Sequence, residues 1–156
     1  MADGRSDTAG VIAPPPLIYL AFLLAGVGLD RLRPAGLGLG AAGDWVGGAL
    51  ALAGLALIAA CALGFRKAGT AIEPYRPTTA LVTTGLYAYS RNPIYVALTA
   101  VYLGLALIDD NAWALALVLP ALAVMARGVI LREERYLGGK FGADYRAYRA
   151  RVRRWL

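Results

Sequence analysis

Two polar, tyrosine-rich stretches concentrate the side chains able to do chemistry. Residues 85–95 read Gly-Leu-Tyr-Ala-Tyr-Ser-Arg-Asn-Pro-Ile-Tyr, and residues 133–145 read Glu-Glu-Arg-Tyr-Leu-Gly-Gly-Lys-Phe-Gly-Ala-Asp-Tyr. Each abuts a long apolar run, and ionisable groups beside a bilayer are costly enough to mark a functional site. Arg127 and Glu134 stand seven residues apart. On one continuous helix they share a face, while Glu133 points about 100° away. A carboxylate and a guanidinium on one face suit a zwitterion, which pairs its ammonium with the first and its carboxylate with the second. The plainer reading is that Arg127 snorkels to headgroups and the glutamates are merely solvated.

Arg91-Asn92-Pro93 opens a helix, because proline at the first helical position gives up an N–H that has no partner there anyway. Such a helix start offers free N–H groups to an anion or carbonyl, although Asn92 serves equally well as an N-cap. Tyr87 and Tyr95 flank this turn and are expected to line a pocket. Tyr89 and Tyr148 are expected to sit in an aromatic belt at the lipid boundary.

Composition limits the chemistry further. The chain has 156 residues, 59% of them hydrophobic, no histidine and one cysteine, Cys61. That excludes an intrachain disulfide, a histidine-based triad and a His/Cys metal site, so no metal is expected. Cys61 lies in an apolar run and is expected to be a small buried hydrophobe. Nine of the sixteen Lys and Arg residues behind the net charge of +6 fall between residues 127 and 154, directly after the last apolar run. This placement addresses anionic lipid headgroups rather than nucleic acid.

The elements that must position these groups follow from the apolar runs. Residues 1–13 are short and mixed and are expected to be disordered. Residues 14–65 hold two scaffold spans, at about 17–29 and 45–65, joined by a Gly/Ala-rich connector over 35–44. A cleaved signal peptide is the other reading of the first span, but no clear small-x-small cleavage site follows it. Residues 66–156 form the remaining unit: a long polar stretch over 66–92, a short third span at about 94–108 and a fourth at about 112–131. Asp109-Asp110-Asn111 makes the turn between them, with Asn111 or Asp110 as N-cap, and Pro120 is expected to kink the fourth span.

The fourth span runs without a visible break into Arg132. After Gly138-Gly139, Phe141, Tyr145, Tyr148, Val152 and Trp155 form one apolar-aromatic stripe, as in a helix lying in the membrane interface or capping the polar loops. The fold class expected is an all-α membrane bundle of about four transmembrane helices with a C-terminal interfacial amphipathic helix. Arg66, Lys67, Arg76 and Arg91 outnumber Arg31 and Arg33, which puts both polar stretches and both termini in the cytoplasm, most simply at a bacterial inner membrane. Gly26, Gly28, Gly47, Gly48 and Gly54 permit close helix contacts within or between chains. Gly38-Leu-Gly40-Ala-Ala-Gly43 matches a dinucleotide fingerprint in letters only. It lacks the strand, the βαβ context and the acidic residue that the fingerprint needs, and reads as a flexible connector.

From about residue 67 onward the chain resembles the isoprenylcysteine carboxyl methyltransferase family, within the wider group that includes phospholipid N-methyltransferases. The resemblance is carried by Gly69-Thr70, residues 77–87 (Pro-Thr-Thr-Ala-Leu-Val-Thr-Thr-Gly-Leu-Tyr), Arg91-Asn-Pro-Ile-Tyr95, Glu133-Glu134 with Leu137, and Phe141-Gly142 with Tyr145, Tyr148 and Val152. It implies a membrane enzyme using S-adenosylmethionine, held by the C-terminal half, with a lipophilic or small acceptor. The cofactor-binding set is then Tyr87, Arg91, Asn92, Pro93, Tyr95, Glu133, Glu134, Leu137 and Tyr145, with Arg127 and Glu134 as the catalytic pair: Glu134, or Glu133 in its place, for the cofactor ammonium and Arg127 for the cofactor carboxylate or the acceptor. Asn92 stands where the family often has histidine and cannot titrate. Methyl transfer needs alignment more than a strong acid or base, which suits a site without histidine.

Two other classes fit less of the pattern: a membrane sterol-type reductase using NAD(P)H, and a non-enzymatic membrane scaffold. Whether the acceptor offers a carboxylate, an amine or a thiol is open at this level.

Overall fold

The chain forms an all-helical membrane bundle. In the computed structural model, which describes residues 7–156, α1 spans Pro15–Leu32, α2 Ala41–Lys67, α3 Pro93–Ile108, α4 Ala112–Met125 and α5 Leu131–Arg151. Among the described residues, three helical stretches are long and apolar enough to cross a membrane: α1, α2 and the continuous run from α4 into α5. The apolar part of that run ends at Leu131, where Arg132-Glu133-Glu134-Arg135 begins. With 16 residues, α3 reaches only about 24 Å, short of a typical hydrocarbon core.

Close packing comes from small residues. The buried positions of α2 are Gly43, Gly47, Gly54 and Cys61, while Trp45, Leu52 and Leu55 on the same helix face outward. Lipid tails are as apolar as leucine, so helices gain by backbone approach rather than by hiding large side chains. The approach of α2 to α3 is tight. A Cβ on Gly47 would stand 2.6 Å from the Gly104 carbonyl oxygen, and one on Gly54 2.7 Å from that of Ala97. Against α4, a Cβ on Gly26 of α1 would meet Ala114 at 2.6 Å, whereas Gly28 and Gly48 face open space. Three of the five glycines thus serve contacts within the chain. Polar groups in the bundle are paired: the Tyr19 and Thr99 hydroxyls meet at 2.8 Å, and the Tyr102 hydroxyl donates to the Ala114 carbonyl at 2.7 Å.

At one end of the bundle the turn between α3 and α4 organises the first connector. Asn111 is the cap of α4, its side chain accepting from Ala114 N–H at 2.8 Å. Asp110 has another task. Its carboxylate accepts N–H groups from Leu37, Gly38 and Leu39 at 3.2–3.3 Å. The connector expected to be flexible is therefore pinned, and Gly43 of its glycine pattern already lies within α2.

The opposite end departs from expectation in three places. Beyond Pro120, which lies inside α4, Ala126–Ile130 form a π segment in place of the unbroken α-helical run expected there. The last helix does not restart at Gly138-Gly139: α5 runs through them and breaks at Gly142, with φ 50° and ψ −113°. Residues 7–13, expected to be disordered, lie against the bundle; residues 1–6 of that stretch lie outside the described residues. Ile12 N–H donates to the Gly128 carbonyl at 3.2 Å, Arg132 donates to the Gly10 carbonyl at 2.7 Å, and Lys140 pairs with Asp7 at 2.6 Å.

Candidate functional site

Four segments meet at this end: the 3-10 turn Gly85–Ala88, the first turn of α3, the first turns of α5, and residues 152–156. Gly85 adopts φ 62°, a value glycine accepts without strain, so the chain can turn into the Tyr87 segment. Tyr87 packs edge-on against Phe65 at the end of α2, with ring centres 5.3 Å apart. Its carbonyl accepts the Tyr148 hydroxyl at 2.7 Å, so the second half of α5 closes over the turn.

The charged groups divide unequally. Glu134 is claimed by two arginines: Arg154 donates to both of its oxygens at 2.9 Å, and Arg91 Nη1 stands 3.1 Å from Oε1. Glu133 has no cation partner among the described residues. It accepts the Tyr95 hydroxyl at 2.7 Å, which ties α3 to α5. Burial pushes its carboxyl up to about 7, with the neighbouring Glu134 charge adding to the rise and the Tyr95 hydrogen bond opposing it. Burial also raises Tyr87, Tyr145 and Tyr148 above the ordinary phenol value, so all three remain neutral hydrogen-bonding groups near neutrality.

Arg91 is left short of acceptors. Its side chain is only 9% exposed and meets Glu134 and the Tyr145 side chain, yet among the described residues Nε and Nη1 have no acceptor in hydrogen-bonding alignment. The Glu134 oxygen near Nη1 lies within ion-pair distance but out of line for a hydrogen bond. An unsatisfied buried donor costs about 1–3 kcal/mol or more when charged, and calls for an acceptor supplied from outside.

These groups line one cleft. Of the residues singled out from sequence, Tyr87, Arg91, Asn92 and Tyr95 face it from one side, and Glu133, Glu134, Leu137 and Tyr145 from the other. Pro93 is buried behind them as the first residue of α3. Arg127 is not with them: it is exposed and does not line the cleft. The expectation that it shares a face with Glu134 assumed an unbroken α-helix. The π segment that contains Arg127 inserts an extra residue per turn and swings it out of register.

Asn92 is neither a side-chain cap nor free. Its Nδ2 donates to the Arg154 carbonyl at 2.8 Å. Tyr148, expected in the aromatic belt, is 4% exposed and lines the cleft, while Tyr89 is 80% exposed. The spacing of Tyr148 from Tyr145 held the signal for a shared inner face. Also missed were Tyr136 and the mouth residues Glu73, Thr78 and Leu81. Residues 80–82, apolar within the long polar stretch, also line the cleft. Arg154 carried no distinguishing signal among its neighbouring arginines. Among the described residues no three of His, Cys, Asp and Glu come together as a metal site requires.

The comparisons with known proteins cover this region. Residues 43–144 match the family model described as phospholipid methyltransferase. The match reaches back into α2, which the sequence reading had treated as scaffold. An uncharacterized protein of Haemophilus influenzae is 40% identical over 63 residues, which is 40% of this chain and the whole of that protein. No solved structure matches the chain. A membrane bundle, a polar cleft at one end and a match across most of both place this chain in the phospholipid methyltransferase family.

Proposed function

We propose that this membrane methyltransferase uses S-adenosylmethionine, bound in the cleft between the first turn of α3 and the start of α5, at the cytoplasmic face. The observation that carries this reading is the placement on one cleft of Arg91, whose Nε and Nη1 have no aligned acceptor, and half-buried Glu133, which has no cation partner among the described residues. A zwitterionic amino-acid group fits both at once. Its carboxylate gives Arg91 the acceptor it lacks, and its ammonium gives Glu133 the cation it lacks. Of the two glutamates Glu133 is the better partner, because Glu134 is already neutralised from two sides.

When bound, the sulfonium supplies an electrophilic methyl group that leaves with its positive charge. The protein's share is alignment and exclusion of water. Phe65 and the apolar edges of Tyr87 and Tyr145 offer rings to a nucleoside, and Leu137 and Ile94 give the wall apolar surface. Arg91 holds one end of the ligand and Glu133 the other, so the transferable group is fixed from two sides. The cytoplasmic orientation rests on charge: Arg66, Lys67, Arg76 and Arg91 belong to the cleft end, and Asp109 and Asp110 to the other. The acceptor is a lipophilic or small molecule offering a carboxylate, an amine or a thiol, reaching the mouth from the lipid.

The test is calorimetry on purified protein in detergent with S-adenosylmethionine, S-adenosylhomocysteine and NADPH. Saturable binding of the two adenosyl ligands, without NADPH binding, is expected. NADPH binding alone would favour a reductase, and no binding of any of the three a scaffold; either result overturns the proposal.

A further inference from the structure

We infer that Arg154 is a positioning residue of the donor cleft, and that it acts by occupying Glu134 so that Arg91 stays open to a ligand. The inference rests on the donor site proposed above but concerns a segment beyond the family match, which ends at residue 144.

The helix ends at Arg151, and Val152 turns extended at φ −116° and ψ 131°. Residues 152–156 then fold back along the Ser90-Arg91-Asn92 segment. Arg91 N–H donates to the Arg153 carbonyl at 2.8 Å, and Asn92 Nδ2 donates to the Arg154 carbonyl at 2.8 Å. Trp155 packs against the buried cluster that contains Tyr95 and Ile130. Both the main chain and the side chain of residue 154 are therefore engaged with the cleft wall, though Arg154 does not itself line the cleft.

The side chain sets the charge pattern. Nε and Nη2 of Arg154 take one oxygen each of Glu134, the fork geometry in which guanidinium and carboxylate match best. With Arg154 in the fork position, Arg91 meets Glu134 only off-line, through Nη1 at 3.1 Å, and its Nε and Nη1 have no aligned acceptor among the described residues. Remove Arg154, and Glu134 is free to turn and take Arg91 in that same fork. The donors that await a ligand carboxylate are then consumed within the protein. Arg154 thus keeps Arg91 available by competing for Glu134, the anion paired with it.

The test measures S-adenosylhomocysteine affinity by calorimetry, with melting temperature and gel filtration as folding controls. Arg154→Ala should weaken binding at least tenfold and, in turnover, raise KM for the donor with kcat within about threefold. Adding Glu134→Gln to Arg154→Ala should restore most of the lost affinity, because the neutral amide no longer captures Arg91. A merely structural role for Arg154 predicts no such rescue.

Equal affinity in Arg154→Ala and wild type, or a loss that Glu134→Gln fails to relieve, overturns the inference. If Arg154→Ala does not fold, Arg154→Lys decides. It keeps the charge without the fork and should bind at least fivefold more weakly at an unchanged melting temperature; unchanged affinity overturns the inference. Should the wild type bind no adenosyl ligand, it is the donor reading that fails, and the two failures remain distinct.

Discussion

The Tyr95 hydroxyl donates to Glu133 Oε1 at 2.7 Å and joins the first turn of α3 to the first turn of α5. The two residues are 38 positions apart, so this bond closes the loop formed by the α3 and α4 hairpin. It also bears on the ionisation of Glu133, a cleft carboxylate that has no cation partner among the described residues. A hydrogen bond to the charged form favours that form, whereas burial works against it; burial wins, leaving the group near 7. The bond therefore moderates a shift that desolvation dominates.

Ligand binding should depend on pH through this group. Only ionised Glu133 attracts an ammonium, so S-adenosylhomocysteine affinity should rise as pH increases towards about 7 and level off above it. Well below the midpoint the slope approaches about tenfold per pH unit. Tyr95→Phe removes the interaction that favours the carboxylate and should move the midpoint upward. Calorimetry across pH 5.5–8.5 at about unit intervals reads both effects. A pH-independent affinity would count against Glu133 as the ammonium partner.

Stability in the absence of ligand should run the other way. The folded-state pKa of Glu133 is raised above its ordinary 4.5, so the folded protein holds the proton more tightly than the unfolded chain. Its contribution is fully present below about 4.5 and is lost as pH rises through about 7. The loss is on the order of 3 kcal/mol for a shift of this size. Glu133→Gln should flatten that part of the stability profile and raise the melting temperature above neutral pH, while weakening ligand binding. Thermal unfolding at several pH values checks the sign directly.

The two arginines suggested by the sequence should separate cleanly. Arg91→Lys removes the Nε donor and should weaken S-adenosylhomocysteine binding by about 10- to 100-fold, the range for a lost hydrogen bond to a charged group. Arg127→Ala, at an exposed position on the π segment, should leave affinity unchanged and stability within about 0.5 kcal/mol. Comparable losses in both variants would return Arg127 to the site and contradict the register argument.

How much of this was legible in the sequence depended on the physical scale of each signal. The spans were readable because lipid demands long apolar stretches whatever their neighbours. The cap at Asn111 was readable because capping is local. The pairing of residues 85–95 with 133–137 followed from a helical hairpin that brings its two ends together. The π segment was not readable, since Ala-Arg-Gly-Val-Ile carries no residue that compels it, and Arg127 was misplaced with it. Tyr148 was read as a lipid-facing belt because an aromatic stripe looks alike whether it meets lipid or protein. Arg154 was hidden for a related reason: among five arginines within nine residues, only the three-dimensional return of the tail distinguishes one.

The bundle itself makes the last prediction, by comparison of adjacent glycines. Gly47 and Gly48 share a helix, a lipid depth and a composition, so helix propensity and membrane insertion treat them alike. Their surroundings differ. A Cβ at position 47 would press on the Gly104 carbonyl oxygen at 2.6 Å and the Ile108 backbone nitrogen at 3.0 Å, whereas one at position 48 meets nothing within 4 Å. Backbone atoms of a packed helix cannot yield as a flexible side chain can, so Gly47→Ala must push α2 and α3 apart. It should cost about 1–3 kcal/mol, read as a lower unfolding midpoint in detergent. Gly48→Ala should be neutral or stabilising by up to about 1 kcal/mol through improved helix propensity. Equal behaviour of the two variants would mean that α2 does not lie against α3 at this register. The position of Phe65 beside Tyr87, and with it one wall of the cleft, would then lose its support.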